Sequence, residues 1–213
     1  MKEILTHSDV LAVLDKMARD LTAQAETLRD LDAAIGDGDL GITVTLGFQA
    51  VTDGLADLAE GDPANILMKS GMAFNRKAAS TFGALFATML MRAARVAKGR
   101  ETLDLTALAE MTQAAVDGVR ERGKAEVGDK TLLDALAPAA QALAQAASQG
   151  ETLAAGLAQG VAAAECGLQA TVEMKSKIGR ASWFSERTQG VADPGAMAIV
   201  LLLRSLYEYV TED

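Results

Sequence analysis

The chain has 213 residues, enough for one domain with a sizeable core; half of them are apolar and only 4% are aromatic. The strong helix formers alanine and leucine dominate, and β-branched and aromatic residues are too sparse for a large sheet, so the composition predicts an all-α fold. The net charge of −9 argues against nucleic acid as a partner. No signal-peptide pattern or membrane-length apolar run is visible, so we expect a cytoplasmic protein without a membrane span.

Helical periodicity and capping signals divide the first half of the chain into helices joined by short segments. Ser8 is predicted to cap the first helix, whose apolar stripe continues to Leu28. Residues 30–41 are predicted to form a loop, and 42–58 the next helix. Asp62 and Pro63 are typical of the start of a further helix. The helix predicted at 81–96 is strongly apolar, and we expect it to be the most buried.

The second half follows the same pattern, with helices predicted at 104–123, 132–147, 152–175 and 194–210. Pro138 is expected to start or kink the second of these helices. Residues 178–192 are predicted to form a long irregular loop, and loops of this length in compact domains usually have a function or move. The sum is seven or eight helices in one domain, residues 1–213.

The most distinctive feature is a group of three aspartates, Asp32, Asp37 and Asp39, interspersed with three glycines. Three neighbouring carboxylates repel one another unless a cation joins them, and glycines allow a turn that points them inward. Oxygen ligands favour Mg²⁺ or Ca²⁺ over zinc. From the spacing alone, a solvated acidic turn that caps the next helix is an equal alternative.

Two other phosphate- or metal-binding motifs do not fit. An EF-hand counted from Asp37 would need glutamate at its twelfth position, where this chain has Phe48. A phosphate loop ending in Gly-Lys-Ser/Thr is absent. Any phosphate is therefore expected to bind through a metal and helix N-termini.

Four sequence blocks, in order, resemble the L subunit, or L domain, of the dihydroxyacetone kinase family. They are Leu-Asp-Ala-Ala-Ile-Gly-Asp-Gly-Asp-Leu-Gly at 31–41, Gly-Asp-Lys-Thr-Leu-Leu-Asp at 128–134, Gly-Arg-Ala-Ser at 179–182 followed by Glu186 and Arg187, and Asp-Pro-Gly-Ala at 193–196. The resemblance covers essentially the whole chain. It implies a closed barrel of about eight antiparallel helices with the nucleotide at one rim.

The resemblance also implies a site for ADP or ATP with two Mg²⁺ ions. Asp32, Asp37 and Asp39 would hold the metal and, together with Arg180, serve phosphoryl transfer. Nucleotide contacts are implied for the following residues: Leu40, Gly41, Thr43, Thr81, Phe82, Gly123, Leu132, Arg180, Asp193, Pro194 and Gly195.

Two positions depart from the family pattern. Leu40 stands where relatives carry His or Cys, and Phe82 ends an Ala-Ala-Ser-Thr-Phe run that replaces a Gly-Gly-Ser/Thr-Ser turn. Phenylalanine cannot donate a hydroxyl hydrogen bond, and alanine restricts the backbone. We therefore expect a remodelled phosphate pocket, and a non-catalytic member that acts as a regulatory or interaction protein stays an alternative.

The resemblance finally implies a division of labour. In the family a histidine on a separate K subunit holds the sugar covalently, and the one histidine here, His7, lies outside every block. We expect a K-type partner that presents a short ketose, so the chain would be the phosphoryl-transfer subunit of a ketose kinase. Either ATP exchanges freely, or ADP stays bound and a phosphotransferase-system M subunit rephosphorylates it, the second being slightly favoured. A homodimer is a further option.

Overall fold

The computed structural model describes residues 1–58 and 62–212, except for the side chains of Arg180 and Phe184. The described part confirms the all-α fold class, and it contains no β-structure beyond one antiparallel bridge between Leu5 and Leu103. The helices are α1 (His7–Ala23), α2 (Ala25–Ile35), α3 (Leu40–Leu55), α4 (Pro63–Lys77), α5 (Thr81–Ala97), α6 (Leu105–Gly123), α7 (Leu133–Ser148), α8 (Leu153–Thr171), α9 (Ser185–Thr188) and α10 (Pro194–Thr211), with 3₁₀ turns at Ala56–Leu58 and Arg180–Phe184.

Most helices begin where the sequence places capping residues. The side chains of Asp62, Asp104 and Asp193 each accept a hydrogen bond from the N–H three residues further on, and Pro63 and Pro194 occupy first helical positions. These contacts satisfy N–H groups that a helix start leaves without partners. The capping signals therefore determine the boundaries of α4, α6 and α10.

The predicted boundaries around α1 and α2 were wrong in three respects. The first helix, whose apolar stripe was predicted to continue to Leu28, ends at Ala23, and α2 begins at Ala25. Thr6, and not Ser8, caps α1, because Thr6 and Asp9 form a reciprocal capping box in which the Thr6 N–H donates to the Asp9 carboxylate at 2.8 Å. Residues 30–35, predicted to be part of a loop, are helical because Leu28 and Ile35 give α2 its own buried face. The non-helical turn shrinks to residues 36–39.

Eight helices close into a ring in which each packs on the next: α1, α3, α4, α5, α6, α7, α8 and α10, which returns to α1. The neighbours α7 and α8 run antiparallel, since Gly160 of α8 faces Leu143 of α7 and Gly167 faces the backbone of Asp134. The remaining long helix, α2, packs on α3 and α10. The ring agrees with the barrel expected from the resemblance.

The interior of the ring is apolar and includes three mutually packed rings, Phe48, Phe74 and Phe86, with centroids 4.6–5.4 Å apart. The prediction that α5 is the most buried helix was wrong: α7 buries nine of its 16 residues, against seven of 17 in α5. The reason is that α7 packs on α6, α8 and α10, whereas α5 contacts chiefly its two neighbours in the ring.

Three smaller differences concern the second half of the chain. Pro138 lies inside α7 and does not start it, α8 ends at Thr171, and the predicted loop 178–192 contains a 3₁₀ turn and the short helix α9. Among the described helices, none is long and apolar enough to cross a membrane.

Candidate functional site

The turn between α2 and α3 brings the three aspartates together. Asp32 lies in the last turn of α2, Asp39 is the N-cap of α3, and Asp37 lies between them. One carboxylate oxygen from each of the three lies within 4.8 Å of the other two. The N–H of Leu40 donates to Oδ2 of Asp32 at 3.0 Å, and this hydrogen bond fastens the end of α2 to the start of α3.

Two glycines make this turn possible. Gly38 has a φ of +73°, in the left-handed region that side chains rarely adopt. A Cβ placed on Gly36 would lie 2.7 Å from Oδ1 of Asp32 and would push that carboxylate away. The spacing of glycine and aspartate therefore has a steric reason as well as an electrostatic one.

The electrostatics of the cluster favour a cation. Burial, and then the neighbouring charge of Asp32, raise the pKa of Asp39. A divalent cation would relieve both effects, because it replaces lost hydration and offsets the repulsion between carboxylates. The donors are all carboxylate oxygens, which suit Mg²⁺. The residues present thus fit the metal that the sequence predicts.

A cavity of about 230 Å³ opens beside the aspartates. Its lining comes from the ends of several helices: the α2–α3 turn, the start of α5, the end of α6, and the starts of α7 and α10. The lining includes eleven of the fourteen residues predicted from the resemblance, namely Asp32, Asp37, Asp39, Leu40, Thr81, Phe82, Gly123, Leu132, Asp193, Pro194 and Gly195.

Three predicted residues are not placed in the lining. Gly41 lies against α2, where a Cβ would come within 2.3 Å of the Ala25 carbonyl oxygen, so the structure gives it a packing role. Thr43, predicted to contact phosphate, is one turn further along α3 and only 5% exposed. The side chain of Arg180 lies outside the part of the chain that is described.

The cavity combines a helix N-terminus with an apolar recess. At the start of α5, the Ser80 hydroxyl accepts the N–H of Gly83 at 3.0 Å, and Thr81 faces the cavity. Free N–H groups at a helix start attract anions. Phe82, a departure from the family pattern, lines the recess and stacks parallel to Phe86 with centroids 6.1 Å apart. Leu40 and Phe82 therefore do not close the cavity.

Asp193, the N-cap of α10, lies in a buried part of the cavity lining. Its Oδ1 accepts the N–H of Ala196 at 2.7 Å, and its own N–H donates to the Thr171 hydroxyl at 2.9 Å. Burial raises the pKa of Asp193 to about 7, and the charge of Asp134 makes a smaller contribution in the same direction. The hydrogen bond from Ala196 and the charge of Lys130 lower the pKa and oppose this rise. This carboxyl titrates near neutrality.

Reasoning from the sequence missed several residues of the lining. Lys130 and Thr131 contribute to it, although the Gly-Asp-Lys-Thr block could have indicated them. Ile178, Gly179 and Ala181 form a further wall of the cavity. The Gly-Arg-Ala-Ser block could have indicated Gly179 and Ala181, whereas no motif includes Ile178. That wall comes from the segment predicted to be an irregular loop.

Three carboxylates beside a helix N-terminus and an apolar recess have the chemistry of a site for a metal-bound nucleotide. The chain matches the DAK2 domain over residues 34–208. It belongs to the DAK2 domain family, and the family resemblance predicted from the sequence is confirmed.

Named relatives of two kinds are similar to the chain. It is 34% identical over 202 residues to the ADP-binding subunit DhaL of the PEP-dependent dihydroxyacetone kinase of Escherichia coli, covering 95% of this chain and 96% of that protein. It is also 34% identical over 197 residues to human triokinase/FMN cyclase, covering 92% of this chain but 34% of that protein. The match covers nearly all of the DhaL subunit but only about one third of triokinase/FMN cyclase.

A solved structure has the same fold. It is the dihydroxyacetone kinase from C. freundii in complex with AMP-PNP and Mg²⁺, which matches with a TM-score of 0.72 and 22% sequence identity. The match covers 93% of this chain and 33% of that one, so this chain spans about one third of the larger kinase.

Proposed function

We propose that this chain is the Mg²⁺–nucleotide-binding, phosphoryl-transfer subunit of a dihydroxyacetone-type kinase. The observation that carries the proposal is the cluster of Asp32, Asp37 and Asp39 at the edge of a cavity that also receives the start of α5. The similarity to the ADP-binding subunit DhaL extends over nearly the whole of both chains and supports the same function.

Each side of the cavity suits one part of a nucleotide. The three aspartates would hold Mg²⁺, as two ions in our proposal, and the metal would offset the charge of the phosphates. The N-terminus of α5 at Thr81 suits phosphate oxygens. The apolar recess around Phe82 and Leu132 suits the base. In the proposed reaction the terminal phosphoryl group leaves the nucleotide and joins a hydroxyl oxygen of a short ketose.

The ketose would be presented by a separate K-type subunit. His7, the one histidine of the chain, opens α1 and does not line the cavity, so this chain offers no histidine to hold a sugar there. Two large apolar side chains, each two residues along the chain from a lining residue, are exposed: Ile42 by 61% and Trp183 by 78%. Exposed apolar side chains of this size are typical of protein interfaces, and we propose that the K-type subunit docks there.

The phosphate donor, the domain boundaries and the assembly belong to the same proposal. We favour bound ADP that is rephosphorylated by a phosphotransferase-system M subunit, because the related DhaL subunits serve PEP-dependent kinases.

We also propose that residues 1–213 form one domain, which the closure of the ring between α1 and α10 supports. A cytoplasmic location and a homodimer stay predictions from the sequence.

The decisive test is calorimetric titration of ADP and ATP, with and without Mg²⁺, on the wild type, Asp37→Asn and Asp30→Asn. Asp30 is a matched control, because it is exposed and pairs with Arg29. We expect Mg²⁺-dependent binding that Asp37→Asn weakens about 100-fold and Asp30→Asn leaves unchanged. Addition of a K-type subunit and dihydroxyacetone should then give turnover. An affinity for ADP and ATP that changes neither on removal of Mg²⁺ nor in Asp37→Asn would rule out the proposed site.

A further inference from the structure

One wall of the cavity has almost no apolar anchor. We call residues 172–192, between α8 and α10, the wall segment; Ile178, Gly179 and Ala181 of this segment line the cavity. Among its described side chains only Ser176 and Thr188 are buried, and both are polar. The hydrophobic effect therefore contributes little to its position, and hydrogen bonds must hold it.

One buried lysine makes four hydrogen bonds at the two ends of this segment. The ammonium group of Lys130 donates to the carbonyl oxygens of Thr171 at 2.8 Å, Met174 at 3.1 Å, Thr188 at 2.5 Å and Val191 at 2.6 Å. We call this set the Lys130 clamp. Two of the carbonyls precede the lining residues and two follow them, so a single side chain fastens both ends of the wall segment.

The local structure around Lys130 is built to aim this side chain. Lys130 is 2% exposed and has a φ of +62°, which a residue with a side chain rarely adopts. Asp134 holds the loop in place, because its carboxylate accepts the N–H of Gly128 at 2.5 Å and that of Thr131 at 2.7 Å. Burial lowers the pKa of Lys130, and such a cost is normally accepted only where the charge has compensating partners.

The geometry separates two roles that a cavity-lining lysine could have. A lysine beside a phosphate site suggests a direct phosphate contact. An ammonium group has three hydrogens, however, and Lys130 already has four carbonyl acceptors within hydrogen-bond distance. Its donors are directed at the wall segment, and none remains for a phosphate oxygen.

We propose that Lys130 is a positioning residue that holds the wall segment over the nucleotide and thereby determines how slowly the nucleotide leaves. This inference rests on the proposed nucleotide site. A wall fastened at both ends confines a bound molecule. Release of the clamp lets the wall move away, while the aspartate cluster keeps its geometry, because the N–H of Leu40 fastens the α2–α3 turn to Asp32 without any contact to Lys130.

The test compares Lys130→Met with Lys175→Met. Lys175 is a matched control, since it lies in the same wall segment but is exposed and pairs with Glu186 at 2.7 Å. Three quantities are measured: tryptic cleavage after Lys177 and Arg187, the dissociation rate of ADP in Mg²⁺, and binding of Mn²⁺ alone. For Lys130→Met we expect cleavage and ADP dissociation to accelerate about tenfold or more, with Mn²⁺ affinity unchanged. Lys175→Met should behave as the wild type.

Other results would overturn the inference. Wild-type cleavage and ADP dissociation in Lys130→Met would show that the clamp does not hold the wall, and loss of Mn²⁺ binding would show a general disruption. If Lys130→Met does not fold, Asp134→Asn decides instead, since the Asp134 carboxylate holds the loop that aims Lys130 by accepting the N–H groups of Gly128 and Thr131. Unchanged cleavage and ADP dissociation in that variant would likewise overturn it. A wild type that binds no nucleotide contradicts the proposed function, while the cleavage comparison still tests the clamp.

Discussion

The two sides of the cavity are held in place by different kinds of contact. On one side, the three aspartates lie within eight residues of sequence, and a turn of four residues between α2 and α3 gathers them. On the other side, the wall segment is held by Lys130, which is 41 to 61 residues away from its four carbonyl partners. The first side is built from local contacts and the second from distant ones.

The difference indicates a division of tasks within the site. A rigid local turn suits a metal cluster, because its ligands need a defined geometry before the ion binds. A wall held by polar contacts has few buried apolar atoms, and such segments open at lower free energy than the core. The comparison predicts that substitutions on the two sides of the cavity change stability and activity differently, and the following variants test this.

The largest effect on stability is expected at the metal side, from Gly41→Ala. A Cβ there would lie 2.3 Å from the backbone oxygen of Ala25, so α2 must move away from α3. We expect a loss of about 3 kcal/mol in the free energy of unfolding and weaker Mg²⁺-dependent binding, measured by urea denaturation and titration. Gly54→Ala is the control, because a Cβ there meets nothing within 4 Å and should stabilise the helix slightly. Equal stability of the two variants would contradict this packing role.

A smaller effect on stability is expected from Asp193→Asn, at the start of α10. The pKa of Asp193 is about 7 in the folded protein, against an ordinary value of 3.8, so the folded state keeps a proton that the unfolded chain releases. The wild type should therefore lose about 2 kcal/mol of stability from this group as the pH rises from about 5 to about 7. Asparagine can still cap α10 and does not titrate. Unfolding measured at both pH values should show a flatter profile for the variant, and an identical profile would contradict the raised pKa.

The smallest effect on stability is expected from Trp183→Ala, at the exposed edge of the wall segment. Because the side chain is 78% exposed, the free energy of unfolding should change by less than about 0.5 kcal/mol. Turnover with a K-type subunit should fall about tenfold, since buried tryptophans often dominate interfaces. Ile4→Ala serves as the control, because Ile4 is also exposed but adjoins the Leu5–Leu103 bridge. Unchanged turnover in Trp183→Ala would place the docking surface elsewhere.

Local signals in the sequence predicted much of the fold. Asp62, Asp104 and Asp193 start helices as expected, because a capping side chain acts on N–H groups three residues away. The start of α1 was wrong for a local reason, since Thr6 and Asp9 form a capping box. The boundary of α2 depended on packing: residues 30–35 are helical because Ile35 is buried against the rest of the barrel. Likewise, α7 is the most buried helix because of its position among three neighbours, and hydrophobicity alone favoured α5.

The candidate site divides in the same way. The acidic turn is specified by its own residues, since Gly36 and Gly38 permit a conformation that brings nearby aspartates together. What faces that turn depends on the packing of the whole chain. The role of Lys130 depends on carbonyl groups, which every residue carries and which leave no mark in the sequence. It also depends on the antiparallel packing of α7 on α8, which brings the start of α7 next to the end of α8. Short-range chemistry can be predicted from neighbouring residues, whereas the partners of a buried charge are set by the fold.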